Sequence, residues 1–304
     1  MNGPEAVESA DAGQPEMGWP RITLVTAVHN GARYIEDTIR SIVYQGYPNL
    51  EYIVVDGAST DGTVDIIRKY EKHLAWWVSQ PDKGVYEALN TGFSRSTGEI
   101  MGWLNASDML HTKGLFVVGS VFAALREVEW ITGRPTRFDF QGKTVDIRPL
   151  ARWSRKRFLA GANKYIQQES TYWRKGLWER AGGRVDPSLR AEGDFELWVR
   201  FFRHARLYSV DALIGGYRSH EDALGSSDLE RYNQACDEIV EQELESAPGR
   251  TSIKFMRRIS ATMKKIPKFR GLWQRLAINA LYRLPGSDWP PTIVDDGKNW
   301  VIRQ

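Results

Sequence analysis

Cysteine is almost missing. Cys236 is the single one in 304 residues, which excludes an internal disulfide framework and a cysteine-rich zinc site. No apolar run approaches the ~18 residues that a membrane-spanning helix needs. The first residues hold no charged-then-apolar secretion signal, so a cytoplasmic enzyme is the expectation. There is no Gly-x-Gly-x-x-Gly after the first strand-like run, where His29-Asn30-Gly31-Ala32-Arg33 stands instead, and no Walker loop. Dinucleotide and P-loop chemistry are set aside on that ground. Disorder as the main state is excluded too, because 42% of residues are hydrophobic and 26% charged, the balance of a globular chain.

Charge of either sign is nearly balanced, at +3 overall, but residues 250–304 hold 12 Lys/Arg against 3 Asp/Glu. The remainder is therefore slightly acidic, and the tail is a candidate anion-facing surface or a plain solvated face. Residues 1–19 lack periodicity and read as a flexible leader.

Ordered structure is expected from Arg21. Ile22 to Val28 is a β-rich run broken at His29-Asn30-Gly31. Tyr34, Ile35, Ile39, Ile42 and Val43 share one helical face. Tyr52 to Val55 is a second strand, closed by Asp56-Gly57. Thr60 or Asp61 is placed to cap a helix through Val64, Ile67 and Tyr70. Trp76 to Val78 is a third strand, a helix over 85–95 follows, and Ile100 to Leu104 is a fourth strand. Strands alternating with helices imply βαβ units and a mainly parallel sheet. Ligands bind beyond the carboxyl ends of such strands. Thr26, His29, Asp56, Asp82, Lys83 and Asp108 all fall at that edge.

At these residues the chain resembles a family 2 glycosyltransferase of the GT-A fold. The matching stretches are Leu24 to Gly31, Val55 to Thr63, Gln80 to Asn90, Thr97 to Ile100, Leu104 to Asp108, Gln168 to Trp173 and Gly193 to Trp198. The resemblance covers residues 21–231. It implies an α/β GT-A fold with a Rossmann-like, mainly parallel sheet flanked by helices and a helical C-terminal extension. It divides the chain into a nucleotide-sugar half (20–108), an acceptor and catalytic half (109–231) and a basic extension (232–304). The activity implied is transfer of a sugar, with inversion, from a UDP-, GDP- or dTDP-sugar to a saccharide or lipid-linked acceptor.

The resemblance also assigns roles. Thr26, Ala27, His29, Asp56, Asp82 and Lys83 would meet the nucleotide, with Asp56 accepting from a nucleobase imide. Asp108 would hold Mg²⁺ or Mn²⁺. Ser107 departs from the acidic pattern there, so metal affinity is expected to be weak. Asn105, Gln168, Glu169, Ser170, Trp198 and His220 would line the donor or acceptor sugar. Asp194 would be the base; at a helix N-terminus it is expected to stay ionised. Glu196 would point elsewhere.

From Thr251 the chain reads as two basic amphipathic helical segments broken at Pro267. They either lie on a membrane surface through 251–284, which would make the enzyme peripheral on the inner face of the cell membrane, or pack on the domain. Nucleic-acid binding finds no support in the resemblance. The alternative to an enzyme is a non-catalytic nucleotide-sugar-binding or scaffold member of the same fold. A sugar nucleotidyltransferase would need a glycine-rich phosphate loop that is missing.

Overall fold

A run in which every residue is apolar or small, such as Ile22–Val28, suits a strand covered on both faces, and all seven of its residues are buried. The computed structural model describes residues 18–161, 165–220, 229–246, 250–264 and 291–303. The leader up to residue 17 and the helical segment expected after Pro267 lie outside the described residues.

In chain order the elements are β1 (Ile22–Val28), α1 (Ile35–Val43), β2 (Leu50–Asp56), α2 (Thr63–Lys69), β3 (Trp76–Ser79), α3 (Val85–Phe93), β4 (Ile100–Trp103), β5 (Met109–Leu110), α4 (Gly114–Ala124), β6 (Trp130–Thr132), β7 (Thr136–Phe138) and β8 (Thr144–Ile147). There follow α5 (Arg155–Leu159), β9 (Thr171–Arg174), α6 (Lys175–Arg180), α7 (Gly193–Phe201), β10 (Tyr208–Val210), β11 (Gly215–Arg218), α8 (Leu229–Ser246), α9 (Arg250–Lys264), β12 (Thr292–Asp295) and β13 (Trp300–Arg303).

The main sheet runs β13-β12-β10-β6-β9-β4-β1-β2-β3, and a smaller one runs β5-β11-β7-β8. β1 pairs in parallel with both β2 and β4, and β2 with β3. β9 is antiparallel to β4 and to β6. Alternation along β1 splits the core: Ile22, Leu24 and Val28 join α1's Ile35, Ile39 and Ile42, while Val25 and Ala27 join α3's Leu89 and Phe93. This is the α/β, mainly parallel GT-A architecture expected.

The structure adds three details, two of which choose between alternatives the sequence left open. α2 is preceded by Gly62 at φ 98°, and Asp61, not Thr60, accepts from Thr63 N at 3.1 Å and Thr63 Oγ1 at 2.5 Å. Residues 292–303, given no element in the sequence analysis, form the hairpin β12–β13, and β12 pairs in parallel with β10. α9 is helical as expected, but it packs on α8: Ile253 is buried, Arg257 pairs with Asp237 at 3.1 Å and Glu241 at 3.3 Å, and Phe255 stays 60% exposed. Among the described residues no helix is long and apolar enough to cross a membrane.

Candidate active site

The turns after β1 and β2 are laced together. Gly57 N donates to Val28 O at 2.8 Å, and His29 Nδ1 donates to Gly57 O at 2.9 Å. Asn30, at φ 49°, donates from its N to Ser59 Oγ at 2.7 Å and accepts from Thr60 N at 2.9 Å. Asp56, fully buried, takes Ser59 N at 3.0 Å, Ser59 Oγ at 2.5 Å and Ser79 Oγ at 2.6 Å. The Asp82 carboxylate lies against Gly57, where a Cβ would sit 2.8 Å from it. It also accepts from Gly84 N at 2.8 Å. Lys83 is exposed. His29, Asp56 and Asp82 thus converge on Gly57.

Thr26 and Ala27 need correction as side-chain contacts. Thr26 is fully buried and accepts from Tyr52 OH at 3.1 Å, while Ala27 packs in the α3 core. Both stiffen the strand beneath the turn.

A second cluster forms where β4, β9, β11 and α7 meet. Asp108 is 1% exposed. It accepts from Arg218 N at 2.8 Å and from Asn105 Nδ2 at 3.0 Å. Gln168 donates from Nε2 to Trp103 O and faces Asn105 Nδ2 at 3.4 Å. Glu169 is buried beside Asp108. Burial first, and Asp108's charge second, push its carboxyl well above the usual range. Burial pushes Asp108 to about 6, while the hydrogen bond from Glu169 favours its charged form. Glu169 therefore keeps the proton and donates it to Asp108, because two buried carboxylates side by side cannot both ionise. Ser170 drops out of the sugar-lining set, because it is fully buried with Oγ on Gln167 O at 3.2 Å.

Asp194 opens α7 and accepts from Phe195 N at 2.7 Å. The expectation that the helix dipole keeps it ionised is overturned. Burial outweighs the helix N-terminus and lifts its carboxyl to about 7, with Glu192's charge adding to the rise. Glu196 points away as expected, paired with Arg200 at 2.7 Å. Trp198 is no sugar platform. It is 1% exposed and stacks with Trp103 at 5.8 Å and 10° in an aromatic core. His220 follows β11 and lies 4.7 Å from the Tyr34 ring.

The sequence reading missed three residues. Tyr86 OH accepts from Gly193 N at 2.9 Å, and its ring fills the space a Gly193 Cβ would need, at 2.6–2.8 Å. Arg218 is 1% exposed, with Nη1 on Asp37 at 3.1 Å and its guanidinium 5.2 Å from the Tyr34 ring. Tyr217 lies in β11 one residue before Arg218, whose N donates to Asp108; burial first, and the charges of Asp108 and Glu169 second, raise its hydroxyl. The Gln80 to Asn90 stretch and the Tyr217-Arg218 pair were signals available in the sequence.

A carboxylate offers about four lone-pair sites, so Asp108 keeps room for one further partner, such as a cation, after its hydrogen bonds from Arg218 N, Asn105 Nδ2 and Glu169. Among the described residues no group of three His, Cys, Asp or Glu is arranged to hold a metal. The residues therefore fit a divalent ion shared with a diphosphate, with Asp108 and Asn105 as the protein's oxygens, better than a resident ion.

Comparison with known proteins gives the family and the fold. The family model described as Glycosyl transferase family 2 matches residues 23–128. The Bacillus subtilis protein TuaG, named as a teichuronic acid biosynthesis glycosyltransferase, is 30% identical over 230 residues, covering 68% of this chain and 82% of TuaG. The chain belongs to glycosyl transferase family 2. An uncharacterized glycosyltransferase of Mycobacterium tuberculosis is 27% identical over 187 residues, 59% of this chain and 68% of the relative. Among solved structures, Staphylococcus aureus TarS 1–349 with UDP-GlcNAc superposes with a TM-score of 0.63 at 17% identity, over 77% of this chain and 70% of that one. The mannosyltransferase PcManGT of Pyrobaculum calidifontis, with GDP-Man and Mn²⁺, gives 0.54 at 20% identity over 89% and 83%. These two share the fold of this family 2 transferase, and both were crystallised with nucleotide-sugars.

Proposed function

We propose that this protein is an inverting hexosyltransferase that moves a sugar from a nucleotide-diphosphate donor to an acceptor hydroxyl. The observation that carries the reading is Asp194. It is a carboxyl held near pH 7 by burial, next to Gly193, whose N–H is tied to Tyr86 of α3, and close enough to Glu169 to raise it. A base with that affinity accepts a hydroxyl proton near neutral pH. The acceptor oxygen attacks the anomeric carbon, the bond to the diphosphate breaks on the opposite face, and the proton stays on Asp194. His29, Asp56, Asp82 and Lys83 are the nucleotide contacts of this reading. Asn105 and Gln168 hold the donor sugar, and His220 approaches the diphosphate. A divalent cation bound through Asp108 and Asn105 would offset the charge of the leaving diphosphate.

TuaG, named for teichuronic acid biosynthesis, supports a setting in cell-envelope polysaccharide or lipid-linked saccharide synthesis, with the protein peripheral on the membrane. The exposed Phe255 on basic α9 is the described feature that favours a membrane surface. Residues 20–108 would serve the nucleotide and 109–231 the acceptor.

The test is donor hydrolysis by purified protein against UDP-, GDP- and dTDP-sugars, with Mn²⁺, Mg²⁺ or chelator. One donor should turn over slowly, and both chelation and Asp108→Ala should abolish it. Nucleotide binding without turnover, with or without added acceptors, would favour the scaffold alternative. No nucleotide binding would remove the assignment.

A further inference from the structure

Residues 134–157 hold eight Lys/Arg and two Asp/Glu, a net +6 inside an otherwise acidic body. They form the β7–β8 hairpin and α5, and the hairpin flanks the acid cluster. β7 lies parallel to β11 with Arg137 in register with Tyr217. Neighbours in register project from the same face of a sheet. Gly215, two residues before Tyr217, shares that face, and a Cβ there would run into the Glu169 carbonyl. The face carrying Tyr217 and Arg137 is therefore the one turned toward Glu169 and Asp108. Tyr217 is half-buried on that face. Arg137 stands about one strand spacing, ~4.8 Å, further out. It is exposed and makes no ion pair among the described residues. Asp146, its partner across β8, is taken by Arg148 at 3.0 Å.

We infer that this face is the acceptor subsite, and that it selects an anionic saccharide with a phosphate or carboxylate next to the sugar that receives the transfer. The inference rests on the glycosyl-transfer reading and names its substrate class. The accepting sugar lies over the Tyr217 ring with its hydroxyl toward Asp194. The negative group meets the Arg137 guanidinium, whose planar fork matches phosphate and carboxylate oxygens. Arg134, Arg148 and Arg155 of the segment are paired with Asp211, Asp146 and Glu243, so the negative group falls to Arg137. A neutral saccharide finds no partner for Arg137.

The experiment uses the full chain saturated with UDP or GDP and Mn²⁺, so that the donor site is closed to anions. Methyl glucoside, methyl glucuronide and glucose 6-phosphate are then titrated by NMR, against wild type, Arg137→Gln and Arg137→Glu. The anionic sugars should bind about tenfold tighter than the neutral one. The preference should vanish in Arg137→Gln, reverse in Arg137→Glu, and shrink as NaCl rises from 50 to 300 mM. Tighter binding of one anion than the other identifies whether phosphate or carboxylate is read. Equal binding of all three, no binding of either anion, or a preference that survives Arg137→Gln overturns the inference while leaving the transferase reading intact. Failure of UDP and GDP themselves to bind removes both.

Discussion

Asp194→Asn should stabilise the protein while abolishing transfer, and the gain should depend on pH in a defined way. The Asp194 carboxyl moves from 3.8 to about 7 on folding. At 1.36 kcal/mol per unit, that shift is worth ~4 kcal/mol. The sign follows from linkage. Below about pH 4 the group is protonated in both states and nothing is lost. Between pH 4 and 7 the unfolded chain releases the proton and the folded one retains it, so stability falls as pH rises. Above pH 7 the full cost of a buried charge is present. Asparagine cannot ionise, yet its carbonyl keeps the 2.7 Å bond from Phe195 N. The variant should therefore match wild type near pH 4 and melt several degrees higher at pH 8, where 1 kcal/mol is worth roughly 2–4 °C in a domain of 150–250 residues. Thermal denaturation from pH 4.5 to 8.5 reads this without any acceptor. A difference in Tm that stays flat over that range, or an Asn variant less stable at pH 8, refutes the burial argument. Once an acceptor is found, wild-type kcat/KM should rise about tenfold per unit below pH 7 and level off above it.

Trp198→Ala should cost ~3–5 kcal/mol of stability, the loss expected of a large core aromatic; weaker sugar binding with an unchanged denaturation midpoint would restore it to the site. Tyr86→Phe strips the buried Gly193 N–H of its acceptor and should cost ~1–3 kcal/mol, lowering kcat more than it raises KM. Gly193→Ala should be worse in both respects, since its Cβ meets the Tyr86 ring at 2.6 Å. Glu243→Ala removes the carboxylate that Arg155 and Arg203 hold at 2.6 and 2.5 Å. It should lose ~1–3 kcal/mol in urea unfolding, less than a fully buried pair because Arg203 is half-exposed.

What was legible in the sequence was whatever depends on local pattern. β1 to β4 are short apolar runs closed by turn residues, and topology alone brings Asp56, Asp82 and Asp108 to one edge. Thr26 could have been read correctly, since strand parity sets it opposite Val25 and Ala27 on the side of the Tyr52 hydroxyl. Trp198 could not. Helical spacing cannot tell an aromatic that faces a sugar from one that faces Trp103, Trp130 and Trp173. The Asp194 expectation failed in its physics: a helix N-terminus favours the anion by ~0.3–1 kcal/mol at an exposed site, and desolvation is several-fold larger. Strands β12 and β13 span four residues each, and what anchors the hairpin is the pairing of β12 with β10, more than 80 residues earlier. Arg218 was hidden for the same reason, because its partners Asp37 and Asp108 come from α1 and the β4 turn.

The two halves implied by the resemblance, which meet at residue 108, are mechanically one. Tyr86 and Asn90 lie four residues apart, on one face of α3, and both grip the second half. Tyr86 OH takes Gly193 N. Asn90 Nδ2 donates to Val185 O at 2.8 Å, and Asn90 Oδ1 accepts from Val185 N at 2.9 Å. α3 itself begins at the nucleotide edge, where Asp82 accepts from Gly84 N and Glu87 accepts from Lys83 N at 2.5 Å. In the proposed reaction, a nucleotide that shifted the Asp82-Lys83 turn would act through a nine-residue helix on the backbone that carries Asp194. β9 adds a second tie, antiparallel to β4, and so joins the turn bearing Glu169 to the strand that leads into Asp108. The Asp82-Lys83 turn, the acid pair and Asp194 are thus held on connected elements, the arrangement the proposed displacement would need, since its reacting atoms come from two different molecules.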